Sequence, residues 1–407
     1  MFYYFKNQNF NYFFSNFIVV IFSLLLLTIN FTKINYKNTK NDISNFLSLL
    51  IFRHYSTYYI IMKKKIVFTG GGTLGHAMPN LYLIEELTDY DPYYIGSAGV
   101  EKEIVEKKNI RFLTIPTVKL VRGKIVTNLK IPFVLIKSIF YARKLLKQIN
   151  PDLIFSKGGY VALPVCIAGR MLKIPIVAHE SDYSFGLANK IILKLCDKMC
   201  VNFKNLEKEN KKIVYTGPIF SKEFENNTKK STKFNLDNSK KTILIIGGSL
   251  GSKKINELIF PIVRDLIKKF NIIHITGKGN LKFKSYENYN AIEICDNLCE
   301  IYNMVDIMLG RSGAGVTSEC FFKSIPMILI PLRNKSTRGD QLQNAKYYEK
   351  LNLANVLSEE TLTPTKLFNS IIEFEKNFYK MKENFKKLNI VNGREAVVEI
   401  IKNTIKK

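Results

Sequence analysis

The sequence predicts an α/β protein of two doubly wound, Rossmann-like domains facing a cleft. Three observations carry this. Two glycine-rich turns, Gly70-Gly71-Gly72-Thr73-Leu74-Gly75-His76 and Gly247-Gly248-Ser249-Leu250-Gly251-Ser252, each follow a short apolar run and open a helical pattern. Each heads its own series of apolar β runs alternating with helical patterns, as in a parallel sheet covered on both faces. Between the series, residues 221–240 are polar and aperiodic, which reads as a linker.

The elements follow in order. A strand at 65–69 leads into a helix ending near Thr88, with Pro79 expected in its first turn, where a missing N–H costs nothing. Short β runs at 93–95 and 112–115 flank a helical pattern at 100–108. Ile131 to Ile149 reads as one long helix. A strand at 153–155, a turn at 157–160, a helix near 162–172 and a strand at 174–178 come next. A helix at 187–195 and strands at 199–201 and 213–215 close the first series. The second begins with a strand at 242–246 and continues through strands at 272–275, 291–294, 306–309 and 326–330, with helices between them. A helix at 393–406 ends the chain. The expected organisation is an N-terminal domain at 62–220, the linker at 221–240, a C-terminal domain at 241–385 and a terminal helix at 386–407.

At 407 residues the chain exceeds what one core usually supports, which agrees with two domains. The formal net charge of +27 points to an anionic partner: nucleic acid, an acidic membrane surface or a phosphorylated substrate. The six cysteines form no CxxC pair and lie in apolar patterns, so buried thiols in a reducing compartment are expected rather than a metal site. Residues 1–61 hold an apolar run from Phe17 to Leu27 that is short for a spanning helix, while Met62-Lys63-Lys64-Lys65 leads directly into the first strand. Met62 is therefore expected to be the natural start, with a membrane anchor and a disordered leader as the alternatives.

Several residue groups carry chemistry. His76 sits beside the first glycines at a helix start, where the imidazolium is disfavoured and a neutral ring can accept a proton. His179-Glu180-Ser181-Asp182 is read as following a strand directly, where ligands bind in open α/β sheets, although Ser181 or Asp182 capping the next helix is the plainer reading. Gly310-Arg311-Ser312-Gly313-Ala314-Gly315-Val316-Thr317-Ser318-Glu319 joins a strand to a helix. Its small residues and helix start suit a diphosphate, with Glu319, in about the first turn, placed for ribose hydroxyls. Pro331 to Ala345 reads as a polar loop whose amides, Gln341 among them, suit sugar hydroxyls. Neither glycine turn ends in the Gly-Lys-Ser/Thr of a Walker loop, and neither is a clean GxGxxG with an acidic partner, which disfavours ATP hydrolysis and a nicotinamide cofactor. Asp89-Tyr90-Asp91 spells a metal-binding DxD, but it lies in a turn away from any strand end and reads as solvated.

Thr117 to Ile149 contains no acidic residue. It holds Lys119, Arg122, Lys124, Lys130, Lys137, Arg143, Lys144 and Lys147, interleaved with Phe133, Ile136, Phe140 and other apolar residues. Such a segment suits an anionic bilayer surface; a core helix with a solvated basic face is the alternative. No recognisable RNA module accompanies it, so no nucleic-acid partner is expected.

Together these motifs resemble the MurG family, bacterial N-acetylglucosaminyltransferases that convert lipid I to lipid II in cell-wall synthesis. The resemblance covers about 62–400. It rests on the Thr69–His76 turn, Lys157 to Pro164, His179 to Asp182 with Gly186 to Lys190, Gly247 to Gly251, Ser312 to Glu319 and Gln341 to Ala345. It implies the glycosyltransferase-B fold, no metal or cofactor, UDP-GlcNAc as donor, lipid I as acceptor and a peripheral seat on the cytoplasmic side of the cell membrane. Donor or substrate contacts are implied for Thr73, Leu74, Gly75, Ser249, Cys295, Ala314, Gly315, Val316, Thr317, Ser318, Glu319, Gln341 and Asn344. His76 matches the residue favoured as general base, with Glu180 and Asp182 beside it. Asp182 stands where many members have Asn, so a carboxylate is available to assist or replace His76. Ser221, counted with the substrate-binding candidates by position, stands where the family tends to have Arg, so that residue's diphosphate or uracil contact is either missing or supplied elsewhere. The expected membrane face is Lys130, Phe133, Ile136, Lys137, Phe140, Arg143 and Lys144. A related transferase acting on diacylglycerol, an epimerase of the same fold, and a non-catalytic basic membrane or RNA-binding protein are the competing readings.

Overall fold

A computed structural model describes residues 63–118, 128–248, 251–281, 285–295, 297–332 and 339–406. Ser249, Lys119, Arg122, Lys124 and the leader 1–61 lie outside the described residues, as does the side chain of Leu74.

Two parallel sheets form the frame. The first contains β1 (Lys65–Thr69), β2 (Asp91–Gly96), β3 (Arg111–Thr114), β4 (Leu153–Ser156), β5 (Ile176–Glu180), β6 (Lys198–Val201) and β7 (Ile213–Tyr215), in the order β3-β2-β1-β4-β5-β6-β7. The second contains β8 (Lys241–Ile246), β9 (Phe270–Ile275), β10 (Tyr289–Ile292), β11 (Ile307–Gly310), β12 (Met327–Leu329) and β13 (Ala354–Val356), in the order β10-β9-β8-β11-β12-β13. Both sheets reverse strand order beside their first strand, between β1 and β4 and between β8 and β11. Those two switch points are where open α/β sheets bind ligands.

The near-continuous apolar runs have their cause in burial on both faces. Every residue of β4, β5 and β9 is buried. One face of the first sheet meets helices Ile131–Ile149, Gly159–Met171 and Leu187–Leu195, through Ala142, Leu146, Val165 and Ile192. The other face meets helix Leu74–Glu86 and the last helix, Arg394–Ile405, through Leu81, Leu83, Val397 and Ile401. The chain thus returns from the second lobe to finish the core of the first. Buried Val397 and Ile401 fasten that return, each worth about 1.5–3 kcal/mol. Arg394, 2% exposed, anchors it further: it donates to Phe220 O at 3.2 Å and pairs with Glu86 at 3.2 Å and Glu225 at 3.0 Å.

Several expectations need correction. The first helix begins at Leu74, so Pro79 lies inside it rather than in its first turn, and the Gly75 carbonyl loses its helical donor. β5 runs to Glu180, so His179 and Glu180 belong to the strand; His179 pairs with Cys200 of β6 and is wholly buried. The polar stretch before Ala345 is not all loop, because helix Asp340–Lys350 starts after Gly339 at φ 76°. Glu319 lies in the second turn of helix Ala314–Phe322, not its first. The linker holds a short helix, Lys222–Asn226, whose Phe224 packs on Phe220 and Phe322 with ring centroids 4.8 and 5.8 Å away.

Candidate active site

The first glycine turn is filled from within. The Glu101 carboxylate, fully buried, accepts the Gly72 N–H at 3.3 Å, the Ser97 N–H at 3.0 Å and the Ser97 hydroxyl. A Cβ on Gly71 would collide with that carboxylate. Glu101 escaped sequence reading because an acid in a first helical turn looks like an ordinary dipole partner. Above the turn, Thr73 Oγ1 lies 2.9 Å from His76 Nδ1. In the tautomer that donates Nδ1–H to Thr73, Nε2 is the basic nitrogen of a neutral ring. Nε2 faces the next turn, 3.7 Å from where a Cβ on Gly159 would stand. Thr73 and Gly75 are exposed beside it.

At the end of β5, Glu180 organises the loop. Its Oε1 accepts the Ser181 and Asp182 N–H groups at 2.9 and 3.0 Å, and its Oε2 accepts the Gly186 N–H at 3.1 Å and Asn189 Nδ2 at 3.0 Å. The capping role expected of Ser181 or Asp182 therefore falls to Glu180. Asp182 instead reaches the second lobe. Asn344 Nδ2 donates to Asp182 Oδ1 at 3.1 Å and to Ser312 O at 3.2 Å, while Asn344 Oδ1 accepts the Tyr183 N–H at 2.8 Å. Asn344 is wholly buried. Beneath this loop the Lys157 ammonium, 2% exposed, donates to Ser181 Oγ. Burial pulls its pKa down to about 8, against the opposing pull of Glu180 and Asp182.

In the second lobe, helix Ala314–Phe322 starts in the open: a Cβ on Gly313 or Gly315 would meet nothing within 4 Å. Thr317 Oγ1 donates to Gly313 O at 3.0 Å, and Ser318 Oγ lies 3.5 Å from Asn202 Nδ2 of the first lobe. Val316 is half-buried against the core. The half-buried Glu319 carboxylate accepts the Tyr302 hydroxyl at 2.8 Å, and burial raises its pKa. Gln341 gives its side-chain carbonyl to Leu332 N–H at 3.0 Å and its backbone carbonyl to Ser312 Oγ at 2.8 Å. Ser221 Oγ caps helix Lys222–Asn226, accepting Phe224 N–H at 3.0 Å. Cys295 lines a pocket of about 260 Å³ shared with the linker residues Lys233 and Phe234.

The two lobes meet around these groups. Burial raises the Tyr82 pKa to about 12, and the charge of Glu319 from the second lobe adds to that rise. Tyr82 is six residues beyond His76 on one helix, about 9 Å along its axis. Tyr183 and Phe203 of the first lobe interlock with Tyr347 of the second at centroid distances of 5.8 and 4.8 Å. Asp182, Asn344 and Ser318 therefore stand at the lobe boundary, and His76 opens the first-lobe helix that carries Tyr82.

Residues 66–201 match the glycosyltransferase family 28 N-terminal domain, and residues 242–402 match the family's C-terminal domain. The chain is a family 28 glycosyltransferase of the MurG group. It is 41% identical over 354 residues to a Clostridium perfringens (strain SM101 / Type A) protein named UDP-N-acetylglucosamine--N-acetylmuramyl-(pentapeptide) pyrophosphoryl-undecaprenol N-acetylglucosamine transferase, covering 84% of this chain and 99% of that one. A Bacillus cereus relative of the same name, numbered 2, is 40% identical over 352 residues, with the same coverage. The fold matches the crystal structure of Acinetobacter baumannii MurG at a TM-score of 0.67 and 23% identity, covering 84% and 99% of the two chains. It also matches a Neisseria meningitidis UDP-GlcNAc 2-epimerase bound to UDP-GlcNAc, at 0.58 and 15%, covering 84% and 100%.

In this family 28 transferase the Ile131–Ile149 helix keeps one apolar stripe uncovered. Phe133, Ile136 and Phe140 are 77, 53 and 63% exposed, flanked by exposed Lys130, Lys137 and Lys144. Their spacing puts them on one helical face, opposite buried Ser138, Ala142, Leu146 and Ile149. Arg143 is half-buried at the edge of the stripe. Among the described residues no helix is long and apolar enough to cross a membrane.

Proposed function

We propose that this chain moves GlcNAc from UDP-GlcNAc to the C4 hydroxyl of the MurNAc unit of lipid I, with inversion, to give lipid II. The observation that carries this is a 41% identical, near full-length relative of that name, supported by the Asn344 bridge that joins Asp182 of the first lobe to Ser312 beside the open helix start of the second. A base takes the proton from the C4 hydroxyl while its oxygen forms the bond to the sugar's anomeric carbon. The bond from that carbon to the diphosphate breaks, and UDP leaves with the electron pair.

His76 Nε2, oriented through Thr73, supports the role of general base. Asp182 is the second candidate. Glu180 is better suited to positioning, since both its oxygens already accept loop N–H groups and Asn189. Charge growing on UDP suits the open start of helix Ala314–Phe322, where N–H groups and the dipole are already aligned. Glu319 would exchange its Tyr302 partner for ribose hydroxyls, and the Gln341 and Asn344 amides stand beside the helix start.

The exposed Phe133, Ile136 and Phe140 stripe with its lysines fits an anionic cytoplasmic leaflet, where a lipid-linked acceptor would be met. An epimerase has no use for that stripe; a transferase acting on diacylglycerol would. The test is transfer of labelled GlcNAc to a short-chain lipid I analogue beside diacylglycerol. Label in the disaccharide-lipid supports the reading. Label in diacylglycerol alone, or in neither, overturns it.

A further inference from the structure

Lys157 is the first residue beyond β4, at the switch point of the first sheet. Its N–H donates to Thr69 O at 2.8 Å, which pins it beside the end of β1 and beneath the glycine turn. The side chain runs under the sheet's rim, 2% exposed, to the Ser181 hydroxyl. Glu180 and Asp182 from the β5 end, His179 within β5 and Cys200 of β6 are the titratable groups that face it. A buried ammonium keeps its proton only where counter-charge and hydrogen bonds replace water. Glu180 already accepts four donors from its own loop and helix. Asp182 is the carboxylate that both faces Lys157 and crosses to Asn344.

We propose that Lys157 is a positioning residue for glycosyl transfer: through Ser181 and its own charge it holds the 181–182 turn so that the Asp182 carboxylate stays directed between the lobes. This rests on the transferase reading above. The lysine can do this only while protonated, and its depressed pKa of about 8 puts the loss of that proton within the working range of an enzyme assay. Glu180 keeps the loop folded in either state, so the effect is on Asp182 and on rate, not on the fold.

The experiment is the pH profile of kcat/KM for transfer to a short-chain lipid I analogue, with UDP-GlcNAc affinity by calorimetry, in the wild type, Lys157→Met and Lys157→Arg. The wild type should lose activity as pH rises through about 8. Lys157→Met should lower kcat about 10- to 100-fold with donor Kd nearly unchanged, and should lose the alkaline limb. Lys157→Arg should recover much of the rate and move that limb upward, since a guanidinium keeps its proton. A Met variant within about twofold of wild-type kcat, or an Arg variant with its limb unmoved, overturns the proposal. The Arg profile decides alone if the Met variant fails to fold. A wild type inactive on lipid I but active on another acceptor removes the lipid I reading and leaves the Lys157 profile measurable on that acceptor.

Discussion

Asn344 of the second lobe donates to Asp182 of the first at 3.1 Å and accepts the neighbouring Tyr183 N–H at 2.8 Å. One buried carboxamide thus holds both a carboxylate and a backbone donor across the lobe boundary, and it also ties down Ser312 O beside the open helix start. Removing it strands several partners at once. Asn344→Ala should lower stability by about 1–3 kcal/mol and kcat/KM by more than tenfold, read by urea unfolding and by transfer assay. An alanine variant with unchanged kinetics would show that this bridge has no part in aligning the lobes.

His76 and Asp182 compete for the role of base, and kinetics separates them. His76→Ala should lower kcat about 10²-fold or more with donor affinity kept, as expected for lost general-base catalysis. Asp182→Asn keeps the Asn344 contact in kind but removes the charge. If His76 is the base, the Asn variant should retain a larger share of the rate than the Ala variant. The reverse ranking would move the base assignment to Asp182.

The stripe on helix Ile131–Ile149 makes a separate prediction. Phe133→Ser with Phe140→Ser should weaken binding to vesicles containing anionic lipid, and Lys137→Glu with Lys144→Glu should do so by about 1 kcal/mol or more per site at low salt. Sedimentation with vesicles reads this directly. Transfer to a water-soluble acceptor analogue should be unchanged in all of these variants.

His274 sets an acid limit. It is buried between Tyr289 Oη and Asn256 Oδ1, each at 3.0 Å, and burial lowers its pKa to about 4. The unfolded chain binds the proton near the ordinary histidine value and the native state only near 4. Stability is therefore fully present above pH 6.5 and is lost as pH falls through that window, by up to about 3 kcal/mol. His179, lowered by burial and by Lys157, acts in the same direction. His274→Gln should flatten part of the slope of unfolding free energy between pH 7 and 4.5, measured in urea. An unchanged slope would contradict this.

The sequence revealed what repeats locally. The Ile131–Ile149 and Leu187–Leu195 helices agree with expectation to the residue, because apolar period and flanking polar residues define them. The short β13 gave no signal: it has three residues, and two of them are only half-buried. Long-range partnerships were equally silent. Nothing near Asn344 points to Tyr183, 161 residues away, and nothing near Gly72 points to Glu101. Ser221, a candidate only because it stands where the family tends to have Arg, uses its hydroxyl to cap a helix, a role open to any serine preceding one. His179 and Glu180 were placed beyond their strand because polar residues ordinarily end one; here burial and the Glu180 loop bonds keep them in it.

A crystal structure of the protein with UDP-GlcNAc bound tests the central claim most directly. The diphosphate should lie at the N-terminus of helix Ala314–Phe322, the ribose on Glu319 in place of Tyr302, and the sugar's anomeric carbon should turn toward His76 and Asp182. A nucleotide lodged against the Gly70–Gly72 turn, or on any surface outside the region between the lobes, would contradict it.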